Sequence, residues 1–347
     1  MTNGIEKLIH DRIRKNGPIT IADYMKACLL HPEFGYYIKS NPFGQSGDFV
    51  TSPEISQMFG ELLGVWVITQ WQALGKPSMI NLLELGPGRG SLMSDLMRVV
   101  TKQPELEKAI NLYLIEISPK LQEIQNSVLS AYSPVWISHI SEIVEGPILI
   151  VANEFFDSFP IHQFTHSKEG WQERHVGLAS DAKPKLQFVL SPEIVSYLPF
   201  NSPKGSVLES SPSTINYMKS IIYQLKRQSG AAAIIDYGYF ETSLVDTLQA
   251  VRNHNFVSVL ESPGKTDLTA HVNFGSLVQL VQETNGMRAL TFTQRDFLCQ
   301  HGIQERATSL MSGANIKHFP DIIASYERLI GRRQMGELFK VLIMSTL

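Results

Sequence analysis

The chain has 347 residues, of which 43% are hydrophobic and 18% are charged. This length and composition exclude an intrinsically disordered segment and a small disulfide-stapled scaffold, and they predict a core of ordinary size. The 30 basic and 33 acidic side chains give a formal net charge of -3, which argues against nucleic acid as the main partner. Only two cysteines are present, Cys28 and Cys299, which fits a reducing compartment, and we expect a cytoplasmic location.

The start of the chain predicts a helix. Glu6 and Asp11 lie among its basic residues and it lacks an apolar centre, which fits neither a secretory signal nor an acid-poor transit peptide. Its apolar residues instead have the spacing of an amphipathic helix: Ile5, Leu8, Ile9 and Ile13. No apolar run in the chain approaches the roughly 20 residues of a membrane helix, so we expect no membrane insertion.

Residues 1–75 are expected to be mainly helical. After the first helix, a break at Gly17-Pro18 precedes a second helix around Ile21 to Leu30, and a third is expected from Pro53 to Trp71. The segment between the last two is rich in Gly, Pro and aromatic residues and predicts a long loop, a kind of segment that often carries function. We therefore predict an N-terminal helical cap with a lid loop, followed by a second domain over 76–347.

From residue 76 onward, short apolar runs alternate with amphipathic stretches. The runs MINLLEL, NLYLIEI and PILIVAN predict buried strands separated by helices, which is the pattern of an α/β fold with a parallel sheet covered on both faces. Two insertions, near 158–210 and 240–275, interrupt this alternation, and the first contains a predicted hairpin around Lys168-Glu169-Gly170. A helix at Ser213 to Gln228, the strand AAAIIDYG and a terminal strand LFKVLIMS complete the pattern.

The strongest local signal is the loop after the first of these strands. It contains Gly86, Gly88 and Gly90, follows Glu84, and leads into a helix that begins near Ser91. Glycines let a ligand approach the backbone closely, and a helix N-terminus favours an anionic group. Ser91 stands where a dinucleotide fingerprint requires its third glycine, which disfavours NAD. Glu84 suits a ligand with an ammonium group. The alternative interpretation of the glycine loop is a simple left-handed turn that binds no ligand.

Acidic residues follow two further strands. Glu116 ends NLYLIEI and can accept hydrogen bonds from both ribose hydroxyls of a nucleoside, unless it is simply a solvated strand-end acid. The glycine loop, this acid and the parallel sheet together predict S-adenosylmethionine as cofactor. Asn153, Glu154 and Asp157 follow PILIVA at the same expected edge, where carboxylates can hold a cationic nucleophile. The alternative is a helix whose first turn carries acids.

At this point the sequence resembles the MidA-like methyltransferases, a family that includes the mitochondrial methyltransferase needed for respiratory complex I assembly. The resemblance covers nearly the whole chain. It is carried by HPEFGYY (31–37), GDFVTSPEISQMFGELLG (47–64), ELGPGRGSLMSDLMR (84–98), ANEFFDSFPI (152–161), IIDYG (234–238), DTLQAVRNH (246–254) and PGKTDLTAHVNF (263–274). Ser158 and Asn273 depart from the family pattern, which usually has Ala and Asp at these positions.

The resemblance implies a class I methyltransferase fold, a Rossmann-like sheet of seven strands whose last strand is antiparallel. It also implies a protein substrate, with arginine on a complex I type subunit as the expected target. Glu154, Asp157 and Glu54 are the candidate catalytic residues. The expected cofactor contacts are Glu84, Gly86, Gly88, Gly90, Glu116 and Asn153, with Asp48, Thr51 and Ser52 contributed by a lid over residues 47–56.

Two other interpretations stay open at this stage. One is a methyltransferase that acts on a small molecule or on another side chain, and the other is an assembly factor that binds the cofactor without turnover. We expect no metal site, because His162 and His166 have no partnering acids at metal-ligand spacing.

Overall fold

The computed structural model describes residues 4–39, 50–180, 185–198, 202–241 and 243–347. The chain forms two compact units, each assembled from separate stretches of sequence. Unit 1 comprises Met1–Phe49, Phe156–Tyr217 and Thr242–His271, and unit 2 comprises Val50–Phe155, Met218–Glu241 and Val272–Leu347.

The α-helices of the described residues are distributed over both units. In chain order they are α1 (Gly4–Asn16), α2 (Ile21–Leu30), α3 (Tyr36–Lys39), α4 (Ser52–Ile55), α5 (Gln57–Ala73), α6 (Ser91–Val100), α7 (Pro104–Ala109), α8 (Pro119–Leu129), α9 (Pro212–Gln228), α10 (Phe274–Gln282), α11 (Gln294–Gln300), α12 (Ile303–Gly313), α13 (Phe319–Ile330) and α14 (Met335–Leu338).

Within the described ranges, the strands form three sheets. They are β1 (Ile19–Thr20), β2 (Ile80–Leu85), β3 (Ile110–Ile115), β4 (Val135–Trp136), β5 (Ile148–Asn153), β6 (His162–His166), β7 (Trp171–Leu178), β8 (Leu186–Ile194), β9 (Val207–Ser210), β10 (Gly230–Tyr239), β11 (Gln249–Arg252), β12 (Asn255–Val257), β13 (Asp267–Thr269), β14 (Val272–Asn273), β15 (Arg288–Thr293) and β16 (Phe339–Ser345).

Unit 2 contains the predicted α/β sheet. Its main path runs β15-β16-β10-β5-β2-β3-β4, and the short strand β14 also pairs with β10. The central strands β3, β2, β5 and β10 are parallel, whereas β16 is antiparallel to both of its neighbours. All six residues of β2 and of β5 are buried, as expected of strands covered by helices on both faces. The predicted class I methyltransferase topology is confirmed, including the antiparallel terminal strand.

Helices α5 and α6 pack very closely in unit 2. A Cβ atom on Gly60 would lie 2.7 Å from the Asp95 Cβ atom, and one on Gly64 would lie 2.8 Å from the Leu96 carbonyl oxygen. Glycine at these two positions therefore lets the helices approach along their full contact. The buried face of α6 joins the same core as Trp66 and Trp71, which are 2% and 3% exposed. This packing fixes the helix that follows the glycine loop.

Unit 1 is built mainly from antiparallel strands. One sheet has the order β1-β7-β6-β9 with β8 on the other side of β7, and a second, three-stranded sheet has the order β12-β11-β13. The predicted hairpin is formed by β6 and β7, with Thr165 opposite Gln172. Helices α1 to α3 supply much of the core of this unit through residues such as Ile9, Met25 and Tyr36.

The observed division differs from a boundary after residue 75. Helices α4 and α5 belong to unit 2, because α5 packs on α6 and shares its core. The predicted insertions near 158–210 and 240–275 supply the strands of unit 1 other than β1. The single helix expected from Pro53 to Trp71 is interrupted at Ser56, whose backbone is extended.

In the part of the chain that the structure describes, no helix combines the length and hydropathy needed to cross a bilayer.

Candidate functional site

The glycine loop joins β2 to α6 at the carboxyl edge of the unit 2 sheet. Gly86, Gly88 and Gly90 have φ values of +62°, +53° and +83°, a region that disfavours other residues. The loop is closed by a hydrogen bond from the Gly90 nitrogen to the Pro87 carbonyl oxygen (2.8 Å). Gly90 is the N-cap of α6 and has no side chain to cap it, so the helix begins without a side-chain acceptor. Such an N-terminus suits a negative ligand group.

Glu84 lies beneath this loop near the end of β2. Its side chain is 2% exposed, and its Oε2 atom has no hydrogen-bond partner among the described residues. Burial, together with the nearby charge of Glu116, raises the pKa of Glu84 to about 8. A carboxyl group in this situation is ready to receive a cation, because a bound ammonium group would stabilise its ionised form.

We expect replacement of Glu84 by Gln to change how stability depends on pH. A carboxyl whose pKa is higher in the folded state stabilises that state fully below its unfolded pKa of 4.5, and this contribution is lost as the pH rises through about 8. Between about pH 5 and pH 9, the unfolding free energy of the ligand-free wild type should therefore fall by roughly 2 to 5 kcal/mol more than that of Glu84→Gln. Urea unfolding at each pH measures this difference.

The Glu107→Gln variant is the control for this experiment, because it makes the same change in charge at an exposed position on α7. Its pH dependence should match the wild type. If the unfolding free energies of the wild type and Glu84→Gln depended on pH in the same way, the pKa of Glu84 would not be raised by burial.

Glu116 directly follows β3 and is held by its neighbours. Its Oε1 atom accepts a hydrogen bond from the Ser118 backbone nitrogen (2.8 Å), and its Oε2 atom accepts one from Gln125 Nε2 (3.2 Å). Burial raises the pKa of Glu116, and these two hydrogen bonds lower it in part. The carboxylate is thus oriented at the strand end next to β2, as the sequence predicted.

Glu154 follows β5 at the same edge. Its backbone has φ of +49°, which is unusual for a residue with a side chain and typical of strained positions at functional sites. Its Oε1 atom accepts hydrogen bonds from the Ser52 backbone nitrogen (2.9 Å) and from Asn153 Nδ2 (3.0 Å). The backbone nitrogen of Glu154 is bound to the Ile235 carbonyl oxygen of β10 (2.9 Å). The half-buried carboxylate is therefore fixed by both its main chain and its partners.

The short helix α4 brings three predicted residues to this edge. Thr51 is its N-cap, the Ser52 nitrogen contacts Glu154, and Glu54 Oε1 accepts a hydrogen bond from Ser91 Oγ (2.6 Å) at the start of α6. The Ser52 hydroxyl also contacts Gln294 Oε1 (3.4 Å). One turn of helix thus connects the strand end that carries Glu154 to the glycine loop.

Two of the predicted residues, Asp157 and Asp48, do not belong to the described part of unit 2. Asp157 belongs to unit 1, where it is buried and its carbonyl oxygen accepts a hydrogen bond from the Ala270 nitrogen (2.9 Å). Asp48 lies outside the described residues.

Asn273, one of the two departures from the family pattern, caps α10 by accepting a hydrogen bond from the Ser276 nitrogen (3.1 Å). Aspartate and asparagine cap helices about equally well, which explains the exchange.

Sequence reasoning missed two buried residues at this edge, Ser118 and Gln125. Both have no solvent exposure, and Gln125 bonds to the glycine loop as well as to Glu116. A signal for Gln125 was present, because it follows Leu121 by four residues and precedes Leu129 by four on the apolar face of α8. A polar side chain at a position that should be apolar indicates a specific buried partner.

The unsatisfied groups of unit 2 indicate where a polar ligand belongs. Among the described residues of this unit, the buried side-chain atoms without a hydrogen-bond partner are Glu84 Oε2, Ser118 Oγ and Asn153 Oδ1. These residues lie at or just beyond the carboxyl ends of β2, β3 and β5, which are neighbours in the sheet. Because buried polar atoms are normally paired, this edge fits an elongated polar ligand such as an aminoacyl nucleoside. In the described ranges, no group of three or more His, Cys, Asp or Glu residues is arranged to hold a metal ion.

A family model described as S-adenosyl-L-methionine-dependent methyltransferase matches residues 62–293 of the chain. This match covers the glycine loop, Glu116 and the strand that ends at Asn153. The chain belongs to this family and is an S-adenosylmethionine-dependent methyltransferase.

Several named proteins are similar to most of the chain. The mitochondrial protein arginine methyltransferase NDUFAF7 of Danio rerio is 36% identical over 98% of this chain and 86% of its own length. The human protein of the same name is 35% identical over 94% of this chain and 80% of its own length. The similarity therefore includes both units.

One solved structure supports the cofactor assignment. A methyltransferase-like protein from Burkholderia thailandensis, crystallised with bound S-adenosyl-homocysteine, has a TM-score of 0.85 and 25% identity, and the match covers 98% of this chain and 91% of that chain. The predicted cofactor, S-adenosylmethionine, is confirmed by this structure together with the family model.

The expected cytoplasmic location is wrong in light of these relatives, whose names describe mitochondrial proteins. The expectation depended on there being only two cysteines. Few cysteines indicate a reducing environment, and that property does not distinguish the cytoplasm from other reducing compartments.

Proposed function

We propose that this methyltransferase transfers a methyl group to an arginine side chain of a protein, and that the substrate is a subunit of respiratory complex I. Two observations support an arginine substrate. The similar proteins from Danio rerio and human are named protein arginine methyltransferases. The geometry that carries the proposal is that of Glu154, a fixed and partly accessible carboxylate at the end of β5. The complex I subunit is implied by the family resemblance alone.

The proposed cofactor site follows the three neighbouring strand ends. Glu84 pairs with the ammonium group, and Gly86, Gly88 and Gly90 let the backbone approach the aminoacyl portion. Glu116 accepts hydrogen bonds from the ribose hydroxyls, and Asn153 presents its Oδ1 atom to the ligand. Thr51 and Ser52 contribute polar contacts from the described part of the lid. When bound, S-adenosylmethionine supplies an electrophilic methyl group on a sulfonium centre.

Glu154 orients the nucleophile in this proposal. A guanidinium group stays protonated at neutral pH, so its nitrogen becomes nucleophilic only when carboxylates localise its charge and accept a proton. The hydrogen bonds from Ser52 and Asn153 to Glu154 Oε1 hold the carboxylate in one orientation before the substrate arrives. Such preorganisation reduces the rearrangement needed at the moment of reaction.

Glu54 is proposed as an additional carboxylate. Asp157 stays a candidate from its place in the sequence alone, three residues beyond Glu154. The hydrogen bond from Ser91 to Glu54 favours a role in closing α4 on the glycine loop. A catalytic contribution of Glu54 would then depend on this closure.

The substrate proposal is tested by incubating the purified enzyme with methyl-labelled S-adenosylmethionine and separated complex I subunits. We expect label in one subunit, and acid hydrolysis should recover it as methylarginine. Label recovered as another methylated amino acid would assign a different side chain. Label in a small molecule only would contradict a protein substrate, and cofactor binding without transfer to any of these would favour the assembly-factor interpretation.

The segment around α4 should become more protected when the cofactor binds. The described part of the predicted lid is Val50–Ser56, which contacts Glu154 and Ser91 through two hydrogen bonds. Because a bound cofactor would add contacts on this side, hydrogen exchange of these amides should slow with saturating S-adenosyl-homocysteine. The amides of α7 serve as an internal control and should not change. Equal exchange rates in Val50–Ser56 with and without ligand would exclude a lid.

A further inference from the structure

Gln125 joins two parts of the cofactor edge that are far apart in sequence. Its Nε2 atom donates hydrogen bonds to the Gly88 carbonyl oxygen (2.7 Å) and to Glu116 Oε2 (3.2 Å). Its Oε1 atom accepts a hydrogen bond from Trp136 Nε1 (2.8 Å). The side chain has no solvent exposure, so water cannot replace these partners. The Trp136 contact also fixes which end of the amide faces the loop and the carboxylate.

The position of α8 makes this arrangement rigid. A Cβ atom on Gly90 would lie 3.4 Å from Leu129 Cδ1 and 3.7 Å from the Gln125 Cα atom, so α8 packs directly against the glycine loop. The same helix begins just after Glu116, with Ser118 as its N-cap. Movement of the glycine loop relative to Glu116 would therefore break at least one hydrogen bond of a buried amide, which is costly.

We infer that Gln125 is a positioning residue that sets the spacing between the glycine loop and Glu116, and thereby lets one ligand occupy both at once. The inference depends on the proposed site, in which the loop receives the aminoacyl portion and Glu116 receives the ribose. A ligand that contacts both ends gains affinity only if their spacing matches its own length. Gln125 thus favours the whole cofactor over its nucleoside fragment.

The experiment compares S-adenosyl-homocysteine with adenosine as ligands of the full chain, by calorimetry. Gln125→Leu keeps the approximate size but removes the donor, which leaves the Gly88 carbonyl oxygen and the Trp136 nitrogen without their partner. We expect the Kd for S-adenosyl-homocysteine to rise about 10- to 100-fold and that for adenosine to change less. Since Gln125 lowers the pKa of Glu116, the pH profile of adenosine binding should also shift to higher pH in the variant.

Gln122→Ala is the matched control on the same helix. Gln122 Nε2 donates to the backbone carbonyl oxygen of Glu116 (2.8 Å) and has no hydrogen bond with the carboxylate or the glycine loop. This variant should keep the wild-type ratio of the two affinities and the wild-type pH profile. If Gln125→Leu does not fold, Gln125→Glu replaces it, because Glu can still accept from Trp136 but its ionised form cannot donate to Gly88.

Four results have defined meanings. An unchanged affinity ratio and pH profile in a folded Gln125 variant would overturn the inference, as would an equal change in Gln122→Ala. Wild-type binding of both ligands by Glu116→Ala would instead show that the proposed ribose site is wrong. Loss of binding in Glu116→Ala, with the ratio altered by the Gln125 variant alone, would support both.

Discussion

Replacement of Glu154 by Gln is expected to slow methyl transfer about 10- to 100-fold while leaving cofactor affinity close to that of the wild type. Gln keeps the size of the side chain and can accept the hydrogen bonds from Ser52 and Asn153 through its amide oxygen. It removes the negative charge that would face the guanidinium group. The lost charge-assisted hydrogen bond is worth about 1.5 to 3 kcal/mol in the transition state.

Single-turnover methylation of a purified substrate, measured beside a cofactor titration, separates the possible roles of Glu154. Glu107→Gln, an exposed substitution on α7, controls for the change in net charge and should behave like the wild type. Wild-type turnover in Glu154→Gln would remove this residue from the mechanism. A joint loss of turnover and cofactor binding would reassign it to the cofactor site.

The second large effect is expected for Gly88→Val, which should weaken S-adenosyl-homocysteine binding by about 100-fold or more. Gly88 has φ of +53°, and its carbonyl oxygen is held by Gln125, so the loop cannot easily move aside. A branched side chain at this position would occupy space that the ligand needs, and the backbone itself would be strained.

Gly75→Val provides a control with comparable backbone strain. Gly75 follows α5 with φ of +82°, and a Cβ atom placed there would meet no atom within 4 Å. Both variants should lose stability, but only Gly88→Val should lose ligand affinity when binding is measured on folded protein. Unchanged binding in folded Gly88→Val, or an equal loss in both variants, would show that the loop is not the cofactor site.

The α/β class and the edge that carries the candidate site could be predicted from sequence because parallel strands place their carboxyl ends together. The apolar runs that end at Leu85, Ile115 and Asn153 are β2, β3 and β5, and these strands are neighbours in the sheet. The position of Glu84, Glu116 and Glu154 along one edge could therefore be predicted without any knowledge of how the helices pack. A continuous apolar run was a sufficient signal for each strand because these strands are largely buried on both faces.

Other features depend on contacts between distant segments and could not be inferred in this way. The division into two units separates Phe155 from Phe156, although no change in composition marks that point. Glu54 binds Ser91, and Ser52 binds Glu154, across sequence separations of 37 and 102 residues. Gln294, in the segment between β15 and β16, contacts the Ser52 hydroxyl. Such contacts result from the tertiary fold and not from local pattern.

The central claim is that S-adenosylmethionine lies along the ends of β2, β3 and β5 with its reactive methyl group toward Glu154. A crystal structure of the protein with S-adenosyl-homocysteine tests it most directly. We predict hydrogen-bond distances of about 3 Å from the ligand amino group to Glu84 and from the ribose hydroxyls to Glu116, with the sulfur atom facing the Glu154 carboxylate. A ligand bound away from these strand ends, or one whose sulfur faces away from Glu154, would contradict the account.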